Sequence, residues 1–198
     1  MRLPIKSHWV IGIIVACLIT ACSSVDVKPD TTYSVQARQK FYELEQWSFE
    51  GRLAITGQSD SWSANMNWIH TPAQENMKLS GPLGQGATHI RLTKEQVTID
   101  RGDGNPQTSV QPEEFVNQQV GILVPLQSLR YWVVGLPEPS QEFIETIDGF
   151  NQEGWLVSYK EMQATNGELM PRKISVSNSQ AKLKLIVDQW IFNNAIKN

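Results

Sequence analysis

Few residues in this chain of 198 are placed to do chemistry. Its two cysteines are Cys17, inside an apolar N-terminal run, and Cys22, just beyond it. Cys22 therefore has no disulfide partner in the body of the chain. Past residue 22 the only histidines are His70 and His89, and neither has neighbours at metal-ligand spacing. There is no G-x-S-x-G elbow and no phosphate-binding P-loop. The glycines of "GPLGQG" (81–86) do not match G-x-G-x-x-G, and they sit between strands, not before a helix. Arg101-Gly102-Asp103 reads as turn chemistry, and Glu113 with Glu114 as the complement of a helix N-terminus. No catalytic constellation emerges, so no enzyme is expected. What remains is one thiol open to acylation and one odd turn. In "SGPLGQG" (80–86), Leu83 occupies a place where Asn, Asp or Ser is usual. Either Leu83 folds back onto the protein or the protein holds it out.

The N-terminus sets the context of the thiol. Arg2 and Lys6 precede an apolar run from Trp9 to Ile19, followed by small residues. This is the pattern of a secretory signal peptide, too short in its apolar part to span a bilayer. Ile19-Thr20-Ala21-Cys22 resembles a bacterial lipobox, a signal whose cysteine is lipidated and becomes the first mature residue. The alternative is an ordinary signal peptide with an incidental Cys22. The expected organisation is a signal peptide over 1–21, a lipidated tether over 22–32 and a single domain over 33–198. The lipobox implies an N-acyl group and an S-diacylglycerol on Cys22, each buried methylene adding about 0.8 kcal/mol of anchoring. No other cofactor is expected. Ser23 stands where an aspartate would resemble the inner-membrane retention signal, which favours an outer-membrane address facing the periplasm. Without Arg2 and Lys6, 15 Lys and Arg stand against 20 acids, a formal net charge of −5. The absence of a basic run argues against nucleic acid. It also argues against anionic headgroups as the main membrane contact.

The elements follow from periodicity. Residues 23–32 have none and read as a tether, with an r.m.s. span of roughly 15–20 Å. In "YSVQARQKFYELEQ", Ala37, Phe41 and Leu44 share a helical face, with Thr32 as a possible N-cap. Most of the remainder alternates with period two. The apolar sets are Trp47, Phe49, Leu53 and Ile55, then Trp62, Ala64, Met66 and Trp68, then Met77, Leu79, Ile90, Leu92, Val97 and Ile99. Trp155, Val157, Tyr159, Ile174, Val176, Leu183, Leu185 and Val187 continue it. Short strands joined by turns predict an antiparallel meander with one apolar face. About eleven strands is more than a flat sheet usually carries, so the sheet should curl. Two helices interrupt it, one opening at Pro112 with Val116, Val120 and Leu123 as its stripe. The other opens at Pro125, carries Leu126, Leu129, Trp132 and Val133, and stops at Gly135 before Pro137. The predicted class is mainly β: an unclosed antiparallel barrel whose apolar face three amphipathic helices are available to cover.

Three stretches together, "PLG" in a turn, "PLQSLRYWVVGLP" in mid-chain and "KLKLIVDQWIF" near the end, resemble the LolB family. With the lipobox, the resemblance runs over nearly the whole chain in the same order. It implies an unclosed antiparallel β-barrel with a helical lid over an apolar cavity that accepts acyl chains. It implies a monomer that takes lipoprotein cargo from a periplasmic carrier resembling LolA and delivers it to the inner leaflet of the outer membrane. Leu83 matches the position of the family's protruding leucine, implied to serve membrane insertion. Phe49, Leu53, Met66, Trp68, Leu129, Trp132 and Trp155 are the preferred cavity lining, with ordinary core packing the alternative for each. Two other functions stay in view. One is a structural or assembly lipoprotein of the outer membrane with a solid core and a protein-binding lid. The other is a hydrolase of envelope lipids, for which the sequence nominates no residue.

Overall fold

The structure is a computed structural model that describes residues 33–57, 61–81, 84–120 and 125–192. The expected signal peptide, the tether with Cys22, and Leu83 lie outside the described residues. The strands are β1 (Trp47–Thr56), β2 (Ser61–His70), β3 (Glu75–Ser80), β4 (Thr88–Leu92), β5 (Val97–Asp100) and β6 (Gln107–Ser109). They continue as β7 (Phe143–Thr146), β8 (Gly149–Gln152), β9 (Trp155–Thr165), β10 (Glu168–Ser177) and β11 (Lys182–Ile191). A short helix α1 (Val35–Arg38) runs into a 3₁₀ turn (Gln39–Glu43), and α2 (Pro112–Val120) and α3 (Leu126–Trp132) lie between β6 and β7.

All eleven strands form one antiparallel sheet in the order β6-β5-β4-β3-β2-β1-β11-β10-β9-β8-β7. Each neighbouring pair is consecutive in sequence except β1 and β11, which join the two ends of the chain. The sheet stays open, because β6 and β7 each have one paired neighbour, and the helices run from one free edge to the other. Curling is assisted at Gly51, where the β1–β11 register slips. A Cβ at Gly51 would lie 2.3 Å from the Ile186 carbonyl oxygen, so only glycine permits this approach. A second irregularity follows Pro171 in β10: Pro171 still faces Met162, and the β9–β10 register slips on both sides of Lys173.

Alternation produces the core as expected. Trp47, Phe49, Ile55, Met66, Trp68, Met77, Ile90, Leu92, Val97 and Ile99 are buried on one face, with their neighbours half-buried or exposed. An aromatic cluster fills one end, with Phe49 and Trp190 5.1 Å apart and Trp47 and Trp68 5.3 Å apart between ring centres. The N-terminal segment departs from expectation. Its buried residues are Val35, Arg38, Phe41 and Leu44, a spacing of three, while Ala37 is exposed. That is 3₁₀ periodicity, adopted because Arg38 turns inward, and the N-cap is Ser34. Thr32 lies outside the described residues.

The other two helices begin, and α3 ends, as their sequence dictates, while Leu123 of the expected α2 stripe lies outside the described residues. Pro112 opens α2 with Glu113 and Glu114 in its first turn, and Val116 is buried. At the end of α3, Gly135 takes φ +89. Its N–H donates to the Trp132 carbonyl at 3.1 Å, and the Leu136 N–H donates to the Tyr131 carbonyl at 3.0 Å. This pair of bonds is a Schellman stop.

Candidate functional site

Between the sheet and α3 lies a cavity whose wall is wholly apolar. Strands β1 and β2 contribute Leu53, Met66 and Trp68, and α3 with the residue after it contributes Leu129 and Val133. Strands β10 and β11 contribute Ile174, Val176, Leu183 and Leu185. Register explains the grouping, since Leu53 faces Leu185 across β1–β11, and Leu185 faces Ile174 across β11–β10. The cavity volume is about 30 Å³. Volume alone would admit water, yet with no polar partner on the wall such a space stays dry.

Of the seven residues expected on the wall, Leu53, Met66, Trp68 and Leu129 are there. Phe49, Trp132 and Trp155 lie elsewhere. Phe49 is fully buried in the aromatic cluster with Trp47, Trp68 and Trp190. Trp132 is fully buried too, its Nε1 donating to Gln152 Oε1 at 2.7 Å and its ring 6.3 Å from Trp155. These two tryptophans fasten α3 to β8 and β9. Ile174, Val176, Leu183 and Leu185 belonged to the legible inward set, but only the β1–β11 pairing shows that they surround a void.

Trp68 is held in place from behind. Its Nε1 donates to Glu75 Oε2 at 2.8 Å, while the other oxygen of that buried carboxylate meets His70 Nδ1 at 2.6 Å. The indole of Trp47 stacks on His70 at 5.0 Å. A polar triad thus fixes the ring whose apolar face borders the cavity.

The C-terminal end of α3 is braced just as firmly. Carbonyls at and just past the helix end, together with Leu169 of β10, accept from side chains of the N-terminal segment and β9. Arg38 donates through Nη2 to Val134 at 2.5 Å, Nε to Gly135 at 3.1 Å and Nη1 to Leu169 at 2.8 Å. Tyr33 donates to Gly135 at 2.9 Å, Tyr42 to Pro137 at 2.8 Å and Tyr159 to Trp132 at 2.8 Å. Burial pushes the Tyr33 and Tyr159 hydroxyls well above the usual phenol range, so both remain donors, and it lowers Arg38. A cation near a helix C-terminus is favoured by the helix dipole. At the start of α2, burial raises the Glu113 carboxyl, Glu153 nearby adds to the rise, and the Gln127 backbone N–H opposes it.

The β3–β4 loop is closed at its base. Gly84 N–H donates to the Gly81 carbonyl at 2.9 Å, and Gly81 N–H donates to the Gln85 carbonyl at 2.9 Å. Asn65 Nδ2 adds a bond to the Gly81 carbonyl at 3.3 Å. The two central positions, Pro82 and Leu83, lie outside the described residues, as does Cys22. Among the described residues no group of His, Cys, Asp and Glu could hold a metal ion, and no helix is long and apolar enough to cross a membrane.

Residues 45–190 match the family described as Outer membrane lipoprotein LolB. The chain is 31% identical over 182 residues to the outer-membrane lipoprotein LolB of Marinomonas sp., covering 87% of this chain and 92% of that protein. It is 30% identical over 154 residues to its counterpart from Pseudomonas fluorescens, covering 75% of each. Over 191 residues it is 29% identical to that of Chromohalobacter salexigens, covering 91% and 88%. A solved LolA superfamily protein from Nitrosomonas europaea superposes over 83% of this chain and 95% of its own at a TM-score of 0.47 and 7% identity. The chain belongs to the LolB family and is a non-enzymatic outer-membrane lipoprotein of the Lol pathway.

Proposed function

We propose that the protein accepts lipoproteins from a periplasmic carrier resembling LolA by taking their acyl chains under α3, then inserts them into the outer membrane. It works as a monomer anchored through lipidated Cys22 and uses no nucleotide. The observation that carries this reading is the wholly apolar cavity between α3 and four strands of the sheet.

An acyl chain gains free energy in such a space by leaving water, at roughly 25 cal/mol per Å² of apolar surface. This gain is non-directional, so the site would take cargo by its chains and ignore the attached protein. At about 30 Å³ the cavity is far smaller than the 300–1,000 Å³ typical of sites that enclose a ligand. Loading therefore requires α3 to lift. Its two cavity residues, Leu129 and Val133, would leave the sheet and find replacement contacts on the incoming chain. Direction needs no energy source, because a bilayer buries the chains more completely than any cavity. The loop carrying Leu83 would make the last contact. Burying one leucine contributes only about 1.5–3 kcal/mol, enough for a transient touch and too little for an anchor.

The rival reading, an assembly lipoprotein with a solid core, draws on the same small volume. One experiment separates them: an environment-sensitive fluorescent fatty acid is titrated into the protein, then a triacylated lipoprotein is added. The transfer reading expects one probe bound per chain and its displacement by the lipoprotein. Absence of displaceable binding would leave the solid-core reading standing.

A further inference from the structure

Strand alternation sorts charge as well as apolar side chains. On the outer face of β11, Lys182 and Lys184 are exposed and make no ion pair among the described residues. Beside them on β1 are Thr56 and Ala54, and on β10 Ser177 and Ser175. On the strands flanking β11 and on β9, Arg52 pairs with Asp188, Lys173 with Glu161 and Lys160 with Asp148. The lid side has the opposite character. Residues 110–153, which supply α2, α3, β7 and β8, hold seven acids against the single Arg130.

Register places the two lysines relative to the Leu83 loop. Ser80, at the end of β3, faces Asn65, which faces Arg52, which faces Ile186. Lys182 lies four residues beyond Ile186 toward the same end of the sheet, so it stands past the level of Ser80, at the end from which the 81–86 loop departs. Three strand spacings, about 14 Å, separate β3 from β11. Lys182 and Lys184 themselves are about 7 Å apart along their strand. An open wall with two cations at that spacing encloses no single ion. It suits charges arrayed in a plane.

We propose that Lys182 and Lys184, on their shelf of small hydroxyl residues, contact the anionic phosphate headgroups of a bilayer and so orient the domain. The contact lies at the same end as the 81–86 loop, and the acidic lid face is repelled to the periplasmic side. A tether of ten or so residues holds the domain near the membrane without choosing its orientation; this charge asymmetry chooses it. Net negative charge is no obstacle, because headgroup attraction fades within a Debye length and reads only the nearest charges. The inference rests on the reading that the 81–86 loop meets the membrane, and its test is independent of cargo.

The full mature protein, labelled with a donor dye at Gln180→Cys in the β10–β11 turn, is placed in vesicles carrying headgroup-linked acceptor. Vesicles of phosphatidylcholine alone are compared with vesicles in which roughly a third of the lipid is phosphatidylglycerol, which supplies anionic headgroups. Energy transfer is expected to be higher in the anionic vesicles and to fall to the neutral level in 1 M salt, where the Debye length is about 3 Å. The pair Lys182→Gln with Lys184→Gln should lower the docked-to-undocked ratio in anionic vesicles roughly 25-fold, about five-fold per lysine. Equal transfer in both vesicle types, or an unchanged ratio in the double variant, overturns the proposal. Acceptance of lipoprotein from the carrier, measured in parallel without vesicles, should be the same in both proteins. If neither protein accepts cargo, the transfer function fails while the orientation result still stands on its own.

Discussion

The guanidinium of Arg38 donates to three backbone carbonyls, of Val134, Gly135 and Leu169, and among the described residues no carboxylate bonds to it. Buried to 6% exposure, it is stabilised by the dipoles of a helix end and by Phe41, whose ring lies 4.5 Å from its central carbon. Arg38→Met is therefore expected to strip this donor from the Val134 and Leu169 carbonyls, each loss costing about 1–3 kcal/mol, while Gly135 keeps Tyr33. A loss on the order of 3 kcal/mol in urea unfolding is predicted, and Arg38→Lys should restore only part of it, since an ammonium cannot span the fork. An unchanged midpoint would mean that water satisfies these carbonyls and that the brace is dispensable. Leu83 presents the reverse case, a residue expected to matter to function and not to stability. Its loop is closed by backbone bonds at Gly81, Gly84 and Gln85, none of which needs the leucine side chain. Leu83→Glu should keep the unfolding midpoint within about 0.5 kcal/mol of the parent, as surface substitutions do. Cargo acceptance should persist while release into liposomes stops. A variant that unfolds would mark Leu83 as core and remove its membrane role.

At the scale of elements, Gly51 decides how β1 meets β11. The register slip between Glu50 and Gly51 brings the Ile186 carbonyl to within 2.3 Å of where a Cβ would be, and backbone cannot yield as a side chain tip can. Gly51→Ala should destabilise by at least about 2 kcal/mol through displaced strands, read as a lower denaturant midpoint. The matching control is Gly102→Ala in the exposed β5–β6 turn, where nothing lies within 4 Å and only the positive φ is strained. Much at this scale was legible in the sequence. Alternation in Trp47, Phe49 and Ile55, or in Leu183, Leu185 and Val187, is a local signal and survives tertiary context. Pro112, Pro125, Gly135 and Pro137 delimit α2 and α3 for equally local reasons. The N-terminal segment misled, because an arginine at position 38 reads as solvent-facing until its three carbonyl partners, about 100 residues away, are known. The cavity was hidden for a related reason. Inward residues such as Val187 and Leu185 look alike in sequence, yet only Leu185 borders the void, because only the partners of β11 decide where α3 stands clear of the sheet.

The whole molecule is a meander cut and rejoined. Read from β7 through β11 and then from β1 through β6, every strand pairs with the next one, and the natural chain breaks this run at β11 and β1. The consequence is that α2 and α3 connect β6 to β7, tying the lid to both free edges of the open sheet. A lid held at both ends can lift only if its joints yield or the edges part, so connectivity should slow the entry of chains into the cavity. A circular permutant isolates this effect. Its new termini fall within 121–124, between α2 and α3, and a flexible linker joins Asn198 to Tyr33. All ten strand pairs are retained, the anchor is absent, and β1 and β11 remain adjacent in the sheet. Its longest-range strand pairing, β1 with β11, becomes a shorter-range one, so refolding should be faster than in the parent. With α3 attached only through its C-terminal brace at Arg38, Tyr33 and Tyr159, the fluorescent fatty acid should exchange faster at similar affinity. Stopped-flow release of the probe measures this directly. Equal exchange rates in permutant and parent would show that the lid lifts by a local motion of α3, and that its attachment to the two edges does not gate the cavity.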